Sequence, residues 1–116
     1  MRLMRIGQGP TLELFQVEGA EPAPPAGLAD RGLTHLGLYV DDIGAAAARL
    51  EASGGELLSA PHPLSGVEDG EGNAGAYGRT PWGMLVELIT YPARISYPPG
   101  SAVTRWTPER VGGGAR

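Results

Sequence analysis

Three short apolar stretches of this chain each hold one group able to do chemistry: Glu13 in Gly9-Pro10-Thr11-Leu12-Glu13-Leu14-Phe15, His35 in Leu33-Thr34-His35-Leu36-Gly37-Leu38-Tyr39-Val40, and Glu87 in Gly83-Met84-Leu85-Val86-Glu87-Leu88-Ile89. The first and third stretches are near copies of one another. An ionised carboxylate buried without a partner costs several kcal/mol, so a strand that keeps one among leucines needs a cation, a donor set or a proton close by. A shared metal ion answers for all three groups at once. The chain has no cysteine, so such a metal would be held by oxygen and imidazole. A sheet edge open to water, or an arginine partner, answers for each glutamate singly.

These groups need elements to position them. Residues 2–6 and 11–16 read as short strands joined through Gly7-Gln8-Gly9-Pro10, a hairpin. Residues 19–30 are too rich in proline for regular structure and form a semi-extended linker. A strand over 33–40 follows, then Asp41-Asp42 and a helix over 43–52 that stops at Gly54-Gly55. Either aspartate can accept hydrogen bonds from the first turn, which explains the acidic pair without catalysis, and the glycines suit a left-handed exit. Residues 56–59 read as a strand, 60–74 as a long polar loop, 75–79 and 84–90 as strands, with Thr80-Pro81-Trp82-Gly83 turning between the last two. The order from 33 to 90 is β-α-β-β-β, an α+β arrangement.

Period-two geometry then assigns faces. Leu36, Leu38 and Val40 share one face of their strand, and His35, Gly37 and Tyr39 the other; Met84, Val86 and Leu88 oppose Leu85, Glu87 and Ile89. Ile43, Ala46, Ala47 and Leu50 form the helix's apolar stripe, which should lie on the fully apolar faces. His35 and Glu87 are thereby expected on the face away from the helix, in a cup. Tyr39 and Phe15 point to the ligand side by alternation, where lining a substrate cavity and plain core packing are both open. Tyr77, Arg79 and Trp82 precede the last strand; Arg79 could meet an anionic substrate group, with a surface arginine as the plainer reading. His62, between two prolines, reads as a solvated loop residue, and Trp106 as an anchor for the tail.

At 116 residues the chain is the length of one ordinary domain, and a formal net charge of -4 offers no basic surface for nucleic acid or an anionic membrane. A small-molecule partner is expected. The first residues lack the apolar core of a signal peptide, and no run approaches the roughly 20 apolar residues that span a bilayer, so a cytoplasmic protein is the default expectation. The ending Val111-Gly112-Gly113-Gly114-Ala115-Arg116 reads as a flexible tail.

With the β-α-β-β-β order, His35-Leu36-Gly37-Leu38-Tyr39-Val40-Asp41-Asp42, the alanine-rich helix, and Arg79-Thr80-Pro81-Trp82-Gly83-Met84-Leu85-Val86-Glu87-Leu88 in view, the chain resembles the vicinal oxygen chelate superfamily over roughly residues 1–92. That superfamily includes glyoxalase I, methylmalonyl-CoA epimerase, extradiol dioxygenases, fosfomycin-resistance enzymes and bleomycin-binding proteins. Its members pair two βαβββ modules around a metal. The resemblance implies that residues 1–18 are the closing hairpin of a partial first module, 19–32 a linker, 33–92 a complete module and 93–116 a tail. It implies Glu13, His35 and Glu87 as ligands of a divalent ion (Zn, Ni, Co, Mn or Fe), with open positions for a substrate bearing adjacent oxygens.

The chemistry so implied is that of a lyase or isomerase, in which the metal stabilises an enolate as a proton leaves the neighbouring carbon and Glu87 doubles as general base. Phe15, Tyr39, Tyr77, Arg79 and Trp82 would line the substrate. Dioxygenase chemistry, which asks for two histidines and a carboxylate, is less favoured. The competing readings are a non-catalytic binding protein of the resistance type and a half-module that dimerises. Three accounts of the missing start of the first module stay open: a second chain supplies that wall, the start is internal to a longer natural protein, or a truncated cup persists with water completing the metal shell; the uncovered edge makes a homodimer the expectation.

Overall fold

The computed structural model describes residues 1–107, in two compact units; the predicted tail end at 111–116 lies outside the described residues. The first unit holds Met1–Pro24 with Trp106, the second Pro25–Arg105.

In the first unit β1 (Arg2–Arg5) and β2 (Thr11–Leu14) form an antiparallel hairpin with Leu3 opposite Glu13 and Met4 opposite Leu12. The connection is closed by the amide of Ile6 donating to the carbonyl of Pro10 at 3.0 Å and that of Gly9 to the carbonyl of Ile6 at 2.7 Å. Much of its apolar surface is exposed, including Leu3 and Phe15.

The second unit is a mixed sheet under one helix. Its elements are β3 (His35–Tyr39), α1 (Ile43–Ala52), β4 (Glu56–Leu57), β5 (His62–Pro63), β6 (Ala74–Arg79) and β7 (Leu85–Thr90). The strand order is β3-β7-β6-β4, with β5 also on β6; β3 runs parallel to β7 and the other pairs are antiparallel. A parallel β3–β7 pair closes the βαβββ path, because the first strand can reach the last only after the helix and hairpin strands have been laid down beside it.

Helix α1 occupies the predicted residues for identifiable reasons. Asp42 is the N-cap, its Oδ1 accepting from the amide of Ala45 at 2.8 Å, so the structure selects Asp42 over Asp41. At the far end Gly54 takes φ 84°, and the amides of Gly54 and Gly55 return to the carbonyls of Glu51 and Leu50. The stripe Ile43, Ala46, Ala47 packs with Leu38, Val40, Leu57 and Leu88 as the core. Gly83, at φ 89°, completes the turn from Thr80, donating its amide to that residue's carbonyl at 2.8 Å.

Two expectations are corrected. Residues 60–74 are not an unstructured polar loop: they contain β5 and a turn of 3-10 helix at Gly66–Glu68. Asn73, buried at 2% exposure, ties this segment down, its Nδ2 donating to the carbonyls of Glu68 and Arg94 while its Oδ1 accepts from the amide of Ala93. Trp106, expected to anchor the tail, is 73% exposed. Arg105 does that work in the second unit, donating to Glu68 at 2.8 Å and to the hydroxyl of Tyr91, over whose ring its guanidinium lies.

Candidate active site

The β-register decides which side chains meet. On the face turned from α1, β7 stands between β3 and β6: Leu85 is paired with His35 on one side and Arg79 on the other, Glu87 with Gly37 and Tyr77, and Ile89 with Tyr39 and Gly75. Leu85 and Ile89 are buried on this face, while the side chains of His35 and Glu87 remain 27% and 19% exposed.

His35 and Glu87 come together: Nε2 and Oε2 are 3.6 Å apart. The hydroxyl of Thr34 lies 3.1 Å from Nδ1, occupying that nitrogen and leaving Nε2 toward the carboxylate. Gly37 makes room for it. A Cβ at Gly37 would sit 3.7 Å from Glu87 Oε2, so the carboxylate leans over a notch where β3 carries no side chain. On the other flank Tyr77 faces Glu87, and its ring meets that of His35 edge to face, centroids 5.5 Å apart. Burial first, then the neighbouring Glu87 carboxylate, then the charge of Glu68, push the Tyr77 hydroxyl above its ordinary pKa. At neutral pH it is therefore an un-ionised donor.

The remaining predicted site residues are placed as follows. Glu13 is exposed on β2 and belongs to the first unit, as does Phe15, which lies just beyond that strand at 66% exposure. Tyr39 stacks on Tyr91, centroids 6.4 Å apart, and Tyr91 donates to Glu68 at 2.7 Å. Arg79 is half-buried and donates to the carbonyl of Gly83 at 3.0 Å, which commits part of its guanidinium to the turn. Trp82, at the tip of that turn, is 61% exposed. His62 is exposed as expected but stands in β5 opposite Gly75 rather than in a loop.

The donor set suits a divalent ion in part. Two donors about 2.1 Å from one ion stand roughly 3.0–3.4 Å apart, close to the observed 3.6 Å. Thr34 on Nδ1 is the outer support that metal-bound imidazoles commonly have. Among the described residues no group of three or more His, Asp or Glu is placed to hold an ion; the second unit brings His35 and Glu87 together, and Glu13 belongs to the first unit. Thr34, Gly37 and Glu68 were not singled out in the sequence. Thr34 was readable as the hydroxyl beside the histidine; Glu68 reaches the site neighbourhood only through folding of the 60–74 segment.

A family model describing the Glyoxalase/Bleomycin resistance protein/Dioxygenase superfamily matches residues 4–88. The chain belongs to this superfamily. Within it, the chain is similar to a 2-epi-5-epi-valiolone epimerase from an Actinomyces species, 36% identical over 113 residues that cover 92% of this chain and 59% of the relative. The chain thus spans about three fifths of that relative's length. The superfamily's mixed α+β module is what the second unit displays, one helix over a multistranded sheet. Among the described residues no helix is long and apolar enough to cross a membrane.

Proposed function

We propose that the His35–Glu87 face serves a metal-dependent isomerase reaction: epimerisation of a carbon next to a carbonyl in a small compound with adjacent oxygens. The observation that carries this reading is the imidazole and carboxylate 3.6 Å apart, partly open, on the sheet face away from the helix, in a chain of this superfamily. The epimerase relative favours isomerase over lyase chemistry and makes 2-epi-5-epi-valiolone the first compound to try. A divalent ion held by His35 and Glu87, with Glu13 as a further candidate ligand, would supply Lewis acidity at the substrate oxygens.

Glu87 is the group assigned to take the proton. The C–H bond breaks as Glu87 takes the proton, its electron pair forms the enolate C=C bond while the carbonyl π pair moves to oxygen, and solvent water returns a proton on the opposite side to invert the centre, the hydroxide left being neutralised by the proton Glu87 releases. No oxidant or reductant enters this balance. Tyr77 flanks the reacting groups, while Tyr39, Phe15, Arg79 and Trp82 remain candidates for the substrate wall. The chain acts as a homodimer in this reading, which the exposed apolar side chains of the hairpin support.

The test has two readouts. Protein purified without added metal is analysed for bound elements alongside His35→Ala, Glu87→Ala and Glu13→Ala, and the ketone is incubated in deuterium oxide and followed by proton NMR. Expected are metal in the parent, at least tenfold less in His35→Ala and Glu87→Ala, and deuterium at the carbon beside the carbonyl only with the parent. Metal content unchanged in both variants removes the metal; absence of exchange with ketone binding retained makes the chain a binding protein.

A further inference from the structure

Neither holding a metal nor removing a proton accounts for Tyr77. It stands directly across β6–β7 from Glu87, and its ring lies edge to face on His35 with planes at 68°. On the opposite flank of Glu87 the register position is Gly37, which has no side chain. Glu87 thus has a bulky aromatic neighbour on one side and a notch on the other, and its Oε2 lies toward the notch, 3.6 Å from the imidazole. His35 is likewise met twice, at Nδ1 by Thr34 and on its ring by Tyr77.

Resting on the reading of His35 and Glu87 given above, we propose that Tyr77 is the positioning residue of this pair: its hydroxyl donates to the Glu87 carboxylate while its ring fixes the plane of the His35 imidazole. One side chain then governs both donors. A carboxylate held by a neutral donor retains its charge for a cation or a substrate proton but loses its freedom to rotate away.

Two substitutions separate the contributions. Tyr77→Phe keeps the ring and removes the O–H; Tyr77→Leu removes both. The metal-free readouts are the imidazole resonances of His35 and the side-chain carboxyl 13C resonance of Glu87, in a His62→Gln background that leaves one imidazole to observe. The third readout is cobalt(II) affinity by calorimetry. For Tyr77→Phe we expect an unmoved His35 resonance, a shifted Glu87 carboxyl resonance and cobalt binding weakened about tenfold or more. For Tyr77→Leu the His35 resonance moves as well.

A Tyr77→Phe protein with the parent's Glu87 resonance and the parent's cobalt affinity overturns the hydroxyl's role, and an unmoved His35 in Tyr77→Leu overturns the ring's. Tyr77→Phe is conservative enough to fold even where Tyr77→Leu does not. If the parent takes up no cobalt, the metal reading fails by itself, and the two resonances still decide the role of Tyr77.

Discussion

Tyr77 is surrounded in a way that can be read by titration. Burial, the neighbouring Glu87 carboxylate and the charge of Glu68 all disfavour the phenolate, so its pKa lies above the ordinary phenol value of about 10. An alkaline ultraviolet difference titration of the parent is expected to contain a step above that value, and Tyr77→Phe to remove it. Glu87→Gln should bring the step only part of the way back, because burial is the largest cause and the substitution leaves it in place. The linkage has a definite sign. A raised folded-state value means that the folded chain holds its proton where the unfolded chain has released it, so this group's stabilisation is complete below about pH 10 and is lost as pH rises through the raised value. Urea midpoints measured on either side of that pH, in the parent and in Tyr77→Phe, check it; an equal alkaline decline in both would refute the assignment.

The elements hold their places through a few local devices, and two of these are open to substitution. Asp42→Ala removes the acceptor for the amide of Ala45 and should lower stability by about 1 kcal/mol, measured by urea denaturation. Gly78 lies under Leu50: a Cβ there would be 2.5 Å from the Leu50 side chain and 2.8 Å from the carbonyl of Glu56. Gly78→Ala should therefore cost about 1–3 kcal/mol, because the backbone carbonyl cannot move aside as a side chain can. The contrast explains what the sequence revealed. Helix α1 was legible because its stripe, its cap and its terminal glycines all lie within the fourteen residues 42–55 and agree. The face shared by His35 and Glu87 was legible because alternation carries across a sheet once both strands are placed. Strand β5 was not, since two residues around a proline carry no period and owe their place to pairing with β6. Nor were the contacts of Asn73 with Ala93 and Arg94 or the contact of Glu68 with Tyr91, which join residues about twenty positions apart and leave no local pattern.

For the whole chain, the open question is what meets its uncovered edges. Among the described residues β3 pairs only with β7, so the strand that carries His35 has one side without a partner strand. In the first unit both strands of the hairpin pair only with each other, while Leu3, Met4, Phe15 and Val17 are 47–71% exposed. Open edges beside exposed apolar side chains favour association, because unpaired amides and carbonyls template a strand while apolar area supplies the driving force. Sedimentation at micromolar concentration should accordingly return twice the 12.0 kDa chain mass. Leu3→Asp combined with Phe15→Asp should return it to the single-chain value without altering the second unit's thermal transition, since the core residues Ala46, Ala47 and Leu88 all lie within that unit. A mass of 12.0 kDa for the parent at these concentrations would exclude the dimer and leave the His35–Glu87 pair to act within a single chain.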